Sequence, residues 1–279
     1  MIPAISNIAW SPDQRAEAYD LMAGCGVTGL EIAPGLFFHS AADPFVPDAA
    51  EARRAMSEAE SRGLRLVSMQ SLLFGVEGAA LFGNAEARET FEHGMTRAIG
   101  LAGRFDIPNM VFGSPRQRCI PEGMTPGPAQ ERAIDTFRRL GDRAERAGTV
   151  ITVEANPARY GTNFLNTFDE AADFVARVDH PRIRMILDMG AMHLNEQIGL
   201  AADRARDHSG RIHHVHVSEP HLAPAPADIA PLSRVLDALS DSGYEGAVSV
   251  EMARSDGGLT AVKESLVKLA LAISGRAPA

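Results

Sequence analysis

Short runs of β-branched and apolar residues alternate along the chain with longer stretches whose apolar positions recur at helical spacing. The runs at 4–9, 27–33, 64–70, 107–113, 149–154, 183–188, 211–218 and 247–252 read as strands. The intervening stretches at 12–24, 48–62, 85–103, 128–147, 167–178, 197–207, 229–242 and 259–274 read as helices. The turns agree with this division. Gly63 stops the second helix just before Leu64 opens the third strand, and GRFDIPNMV, HPRIRMI and SGYEGAVSV repeat the same helix, turn, strand order. Strand, crossover helix and parallel strand form a right-handed unit. Eight in succession predict one α/β domain over 1–279, a (β/α)8 TIM barrel, with an open doubly wound sheet as the alternative that the count of eight disfavours. The segment LAPAPADIAP reads as a loop after the seventh strand, not a linker.

Composition narrows the partners. At 279 residues and 45% hydrophobic content the chain can bury a barrel core. Its 27 basic and 36 acidic side chains leave a net charge of −9, which opposes nucleic acid and anionic membrane surfaces as partners. Cys25 and Cys119 have no CxxC partner, so no disulfide framework or cysteine-rich zinc site is expected and a reducing cytoplasm fits. The start MIPAISNIAW lacks a basic region followed by an apolar run, and no stretch approaches the roughly 18 apolar residues of a spanning helix. A soluble, unexported protein is expected, with homo-oligomerisation compatible but not fixed by any motif.

In a barrel of this kind the chemistry gathers at the carboxyl ends of the strands. TVITVE ends on Glu154, RIRMILD on Asp188 and GAVSVE on Glu251, while RIHHVHV carries His216 near its end. Three carboxylates together in a partly dry mouth would repel one another and take up protons unless a cation compensated them. A single acidic residue at a strand end is more often a helix cap or a salt-bridge partner. Four at corresponding positions point instead to one divalent metal ion. Oxygen donors with one imidazole suit Mn2+, Mg2+ or Co2+, with Zn2+ also possible and Mn2+ the first expectation. By alternation His214 shares the inward face with His216 one layer deeper and reads as a hydrogen-bonded core histidine, whereas His213 should face the helices.

The segments VEANPARYGTNFLNT, ILDMGAMHLNE, HVHVSEPH and VSVEM resemble the xylose isomerase-like barrel superfamily, and within it the sugar isomerase/epimerase branch typified by ketose 3-epimerases. The resemblance runs from the first strand to the last helix. It implies that Glu154, Asp188, His216 and Glu251 are the metal ligands and that Glu154 and Glu251 form the catalytic acid/base pair. A metal on a ketose carbonyl and its neighbouring hydroxyl would stabilise the enediolate formed when a C–H proton leaves. Return of a proton to the opposite face gives an epimer, return to the next carbon an isomer, and loss of a β-hydroxyl a dehydration. Three positions depart from the epimerase pattern. Ala191 stands where many members have a histidine three residues after the aspartate, with His193 two residues further on. Tyr160 and Leu222 stand where the epimerases carry a substrate glutamate and arginine.

Other polar residues are candidate substrate contacts. Glu31 and Gln70 end the second and third strands and are placed to bind sugar hydroxyls. Arg116 and Arg118, after the fourth strand, would suit a phosphate or carboxylate clamp. His193, Glu219, His221 and Arg254 lie near the same rim, and Phe37, Phe38 and His39 occupy a loop where aromatic rings could close over a sugar. The expected function is a divalent-metal-dependent sugar isomerase or epimerase acting on a small sugar or polyol ketone. A metal-dependent dehydratase on an inosose- or dehydroshikimate-like substrate is the alternative, motivated by the missing substrate residues and the arginine pair. An apurinic-site endonuclease comes third, disfavoured by the acidic balance and the shortage of histidine ligands.

Overall fold

The computed structural model describes residues 1–275. The eight runs become parallel strands β1 (Ile2–Ser6), β2 (Gly29–Ile32), β3 (Arg65–Met69), β4 (Asn109–Phe112), β5 (Val150–Val153), β6 (Ile183–Asp188), β7 (Ile212–Ser218) and β8 (Ala247–Glu251). They pair in chain order and close into a barrel, so the (β/α)8 alternative is the one adopted. The helices among the described residues are α1 (Arg15–Gly24), α2 (Pro34–Phe37), α3 (Ala49–Glu60), α4 (Ala85–Arg104), α5 (Pro126–Ala147), α6 (Phe168–Val178), α7 (Met189–Leu194), α8 (Ala201–Asp207), α9 (Ile229–Asp241) and α10 (Gly258–Ser274). None of the helices among the described residues is long and apolar enough to cross a membrane.

The chain divides into two compact units, one formed by Met1–Ser68 with the chain from Leu187 onward, the other by Met69–Ile186. In the first unit β8 pairs with β1 and β7, and β1 with β2. The register sets Ser6 beside Glu31, His216 beside Ser249 and Ser218 beside Glu251. Because side chains alternate between faces, His214, His216 and Ser218 share one face of β7. The interior below them is filled by small residues: Ala4, Val67 and Ala247 pack together. Gly29 is required there, since a Cβ at that position would stand 2.7 Å from the Ala4 Cβ.

In the second unit β4 pairs with β5 and β5 with β6, with Phe112 beside Val153 and Ile151 beside Ile183. Behind these strands runs a chain of edge-to-face rings, Phe82, Phe164, Phe174, Phe137, Phe112 and Phe91, with successive centroids 5.0–5.8 Å apart. Helix starts follow the sequence signals. Asp48 Oδ1 accepts from the backbone N–H groups of Ala50 and Glu51 at α3. Thr167 and Glu170 form a reciprocal capping box at α6.

Candidate metal centre

Asp188 closes β6 and also caps the short helix α7, where its Oδ1 accepts from the Ala191 backbone N–H. The same oxygen accepts from the Ser218 hydroxyl at 3.1 Å, and Ser218 Oγ in turn accepts from the Gly190 N–H at 2.8 Å. With Oδ1 so occupied, Oδ2 turns towards the buried imidazole of His216, 3.4 Å from its Nδ1. Glu251, the last residue of β8, brings Oε2 to 3.2 Å from that same nitrogen. One imidazole nitrogen therefore faces two carboxylates taken from two strand ends.

The other side of the His216 ring meets Glu31. Glu31 Oε1 lies 3.0 Å and Oε2 3.2 Å from His216 Nε2. Oε2 is also 2.8 Å from His214 Nε2, and all three side chains are fully buried. Burial by itself would raise the Glu31 pKa. The charge of His216, then hydrogen bonds from His214 and His216, outweigh it and hold the carboxyl well below the usual carboxylate range. Glu31 was expected to bind substrate hydroxyls. It is instead sealed in the interior with its oxygens turned to two histidines, and no solvent-facing oxygen remains for a sugar. The core role expected for His214 agrees with its burial and its contact with Glu31.

In the second unit Glu154 follows β5, and its side chain is half-buried. Asn156 Nδ2 donates to its Oε2 at 2.7 Å. Its backbone carbonyl accepts from Arg118 Nη1 at 2.7 Å, and Arg118 Nη2 donates to the Leu165 carbonyl at 3.3 Å. The Arg118 guanidinium also lies over the Phe112 ring, 5.8 Å from its centroid. Arg118 is fully buried, and loss of hydration pushes its pKa down to about 10. Arg116 and Arg118, expected as a substrate clamp, therefore sit in different surroundings. Arg118 is consumed in fixing the backbone at Glu154, while Arg116 is exposed. Gln70, just beyond β3, is buried.

At the rim of the first unit His193 Nδ1 stands 3.4 Å from Glu219 Oε2. Glu219 Oε1 accepts from the Ala227 N–H at 2.8 Å, which ties this pair to the loop before α9. His221 is exposed with a left-handed backbone, φ +61°, and Arg254 is exposed. The loop expected to carry Phe37 and Phe38 over a ligand is partly the helix α2. Both rings are buried against each other, centroids 4.8 Å apart, so they belong to the core. Sequence reading missed the supporting roles of Ser218 and Asn156. Each lies two residues from a ligand candidate on the same strand end, and that spacing was the available signal.

A family model described as the xylose isomerase-like TIM barrel matches residues 19–270. The chain belongs to this family. Among its curated relatives, the D-psicose 3-epimerase of Enterocloster bolteae is 32% identical over 128 residues, 46% of this chain and 41% of that protein. The L-ribulose 3-epimerase of Methylomonas sp. is 28% identical over 138 residues, 48% of this chain and 47% of that one. The matched part thus spans less than half the length of either relative. These relatives support the sugar-epimerase branch. The solved 3-keto-D-glucoside 4-epimerase of E. coli superposes with a TM-score of 0.75 at 20% identity, covering 96% of this chain and 98% of that one. A family 2 AP endonuclease from Brucella melitensis superposes at 0.70 and 19% identity over the whole of both chains. At such identities the shared property is the fold, and the fold alone does not choose a reaction.

Proposed function

We propose that this chain is a divalent-metal-dependent sugar isomerase or epimerase. In this reading Asp188, His216, Glu251 and Glu154 hold one ion, and Glu154 and Glu251 exchange protons with a carbon next to a carbonyl. The observation that carries it is the seat of His216. Since the Glu31 carboxylate can only accept, His216 keeps a proton on Nε2, and an ion that displaces the other proton would meet the Nδ1 lone pair, which faces Asp188 Oδ2 and Glu251 Oε2. Three electron-rich atoms turned towards one another call for a cation among them. The ligand atoms of Asp188, His216 and Glu251 lie within 4.8 Å of one another, a spacing that one ion can gather in. Glu154, next after β5, would supply the fourth donor from an equivalent strand end. This oxygen-rich set with one imidazole favours Mn2+ ahead of Mg2+, Co2+ or Zn2+.

A bound ion would polarise the substrate carbonyl and stabilise the negative charge that builds on it. The remaining chemistry falls to the side chains. One glutamate takes the proton from carbon and becomes a carboxylic acid. The other, on the opposite side of the substrate, gives a proton to that carbon for epimerisation or to its neighbour for isomerisation. Gln70 and the His193–Glu219 pair would serve as hydrogen-bonding groups for the hydroxyls of a small sugar or polyol ketone. The dehydratase alternative loses one of its two supports, because Arg118 is engaged by backbone carbonyls, while the departures at Tyr160 and Leu222 stand.

The test is incubation of the manganese-loaded protein with a panel of ketoses in D2O. Deuterium should enter at the carbon beside the carbonyl, and product of unchanged skeleton should accumulate. No exchange with any ketose, or a product lighter by one water, would overturn the reading.

A further inference from the structure

Glu31 is the one carboxylate of the cluster that faces away from the candidate ion, and its surroundings assign it a task. It sits on β2, while the two imidazoles it meets sit two residues apart on one face of β7. All three side chains are fully buried. Glu31, His214 and His216 form a cluster with the donor types of a second metal site. Direct contact accounts for the spacing without an ion. The Glu31 oxygens stand 2.8 Å from His214 Nε2 and 3.0 Å from His216 Nε2, which are hydrogen-bond distances. A carboxylate bonded to the His216 N–H with His214 in close contact accounts for the geometry as it stands.

Resting on the metal-centre reading above, we propose that Glu31 is the positioning residue of that centre. By accepting the Nε2–H of His216 it fixes both the tautomer and the tilt of the ring, so that Nδ1 is the nitrogen offered to the ion. His214, whose Nε2 stands 2.8 Å from Oε2, packs against Glu31 from the layer below. A buried carboxylate behind a ligating histidine also makes the imidazole a stronger donor, and loss of such a partner commonly weakens metal binding about 10- to 100-fold. Glu31 touches neither the ion nor the substrate in this arrangement. The sequence HVH on β7 opposite a glutamate on β2 thus encodes a ligand and its support together.

The experiment uses the full chain stripped with a chelator and reloaded. Manganese binding is titrated calorimetrically for the unaltered protein and for Glu31→Gln, with circular dichroism confirming the fold. The glutamine can accept from one ring but must present its amide N–H2 to the other, so the paired arrangement is lost. An affinity for Mn2+ weakened about 10-fold or more is expected. Equal affinity in the two proteins would overturn the positioning role while leaving the metal centre intact. Failure of the unaltered protein to bind Mn2+, Mg2+, Co2+ or Zn2+ would instead remove the metal-centre reading, and the inference with it. Should Glu31→Gln not fold, the unaltered protein still decides the matter. In 15N spectra of its zinc-loaded form the His216 proton is expected on Nε2, and a proton on Nδ1 would overturn the proposal.

Discussion

Arg118 holds two backbone carbonyls, those of Glu154 and Leu165, from a position without solvent access. Its truncation removes one donor from each carbonyl, although Leu165 keeps the Asn156 N–H, and opens a void, so Arg118→Ala is expected to lower unfolding stability by about 2–4 kcal/mol in urea titration. Arg116→Ala, at an exposed position, should leave the denaturation midpoint unchanged. The two arginines look alike in sequence, both in a short loop after a strand. What separates them is a segment some forty residues on, which brings the Leu165 carbonyl to one guanidinium only, and no local pattern announces that. Glu31 was misread for a related reason. Its strand-end position was legible, but its orientation towards β7 depends on how barrel neighbours face one another. The ligand candidates were legible because strand ends and residue types suffice to name them. For the proposed proton-transfer pair, Glu154→Gln and Glu251→Gln are each expected to reduce kcat about 100- to 10,000-fold in steady-state assays with an unchanged far-ultraviolet spectrum.

At the scale of elements, the end of β4 limits where Glu154 can lie. A Cβ added at Gly113 would overlap Glu154 Oε2, the oxygen that Asn156 also holds. Gly113 has no positive φ, so the backbone accepts alanine, and the flexible carboxylate is what must give. Gly113→Ala is therefore expected to keep or raise stability, by up to about 1 kcal/mol, while kcat falls. Thermal melting and steady-state kinetics on the same sample check both halves, and parallel loss of both would contradict this account. Helix α6 rests on its capping box, and Thr167→Ala should cost about 1 kcal/mol without altering kcat. The long helices were readable because ten or more residues give periodicity room to repeat, and the strands because short β-rich runs lie between clear turn residues. Two short helices, α2 and α7, were not, since four and six residues carry no periodic signal. For α7 the sign was Asp188 itself, which doubles as an N-cap and was read only as a ligand. The run at 4–9 also ended early. Ser6 turns the chain into a 3-10 turn over Asn7–Ala9, and β1 begins instead at Ile2.

At the scale of the molecule, an ion that binds the folded chain and not the unfolded one stabilises it by mass action. Manganese at one hundred times its dissociation constant should raise unfolding stability by about 2.7 kcal/mol, and a chelator should reverse the rise. A melting temperature indifferent to Mn2+ and to chelation would count against the centre. The barrel was legible from the count and spacing of βα units, and the family match over residues 19–270 agrees with it. The substrate was not legible. In the proposed function sugar selection would fall to rim side chains such as His193 and Glu219, whose pairing arises from loops rather than from a periodic pattern. The central claim is that four strand ends converge on one ion. Anomalous diffraction from manganese-soaked crystals tests it most directly: a single peak within about 2.0–2.6 Å of Glu154, Asp188, His216 Nδ1 and Glu251 is expected. A peak among Glu31, His214 and His216, or no peak at the barrel mouth, would contradict it.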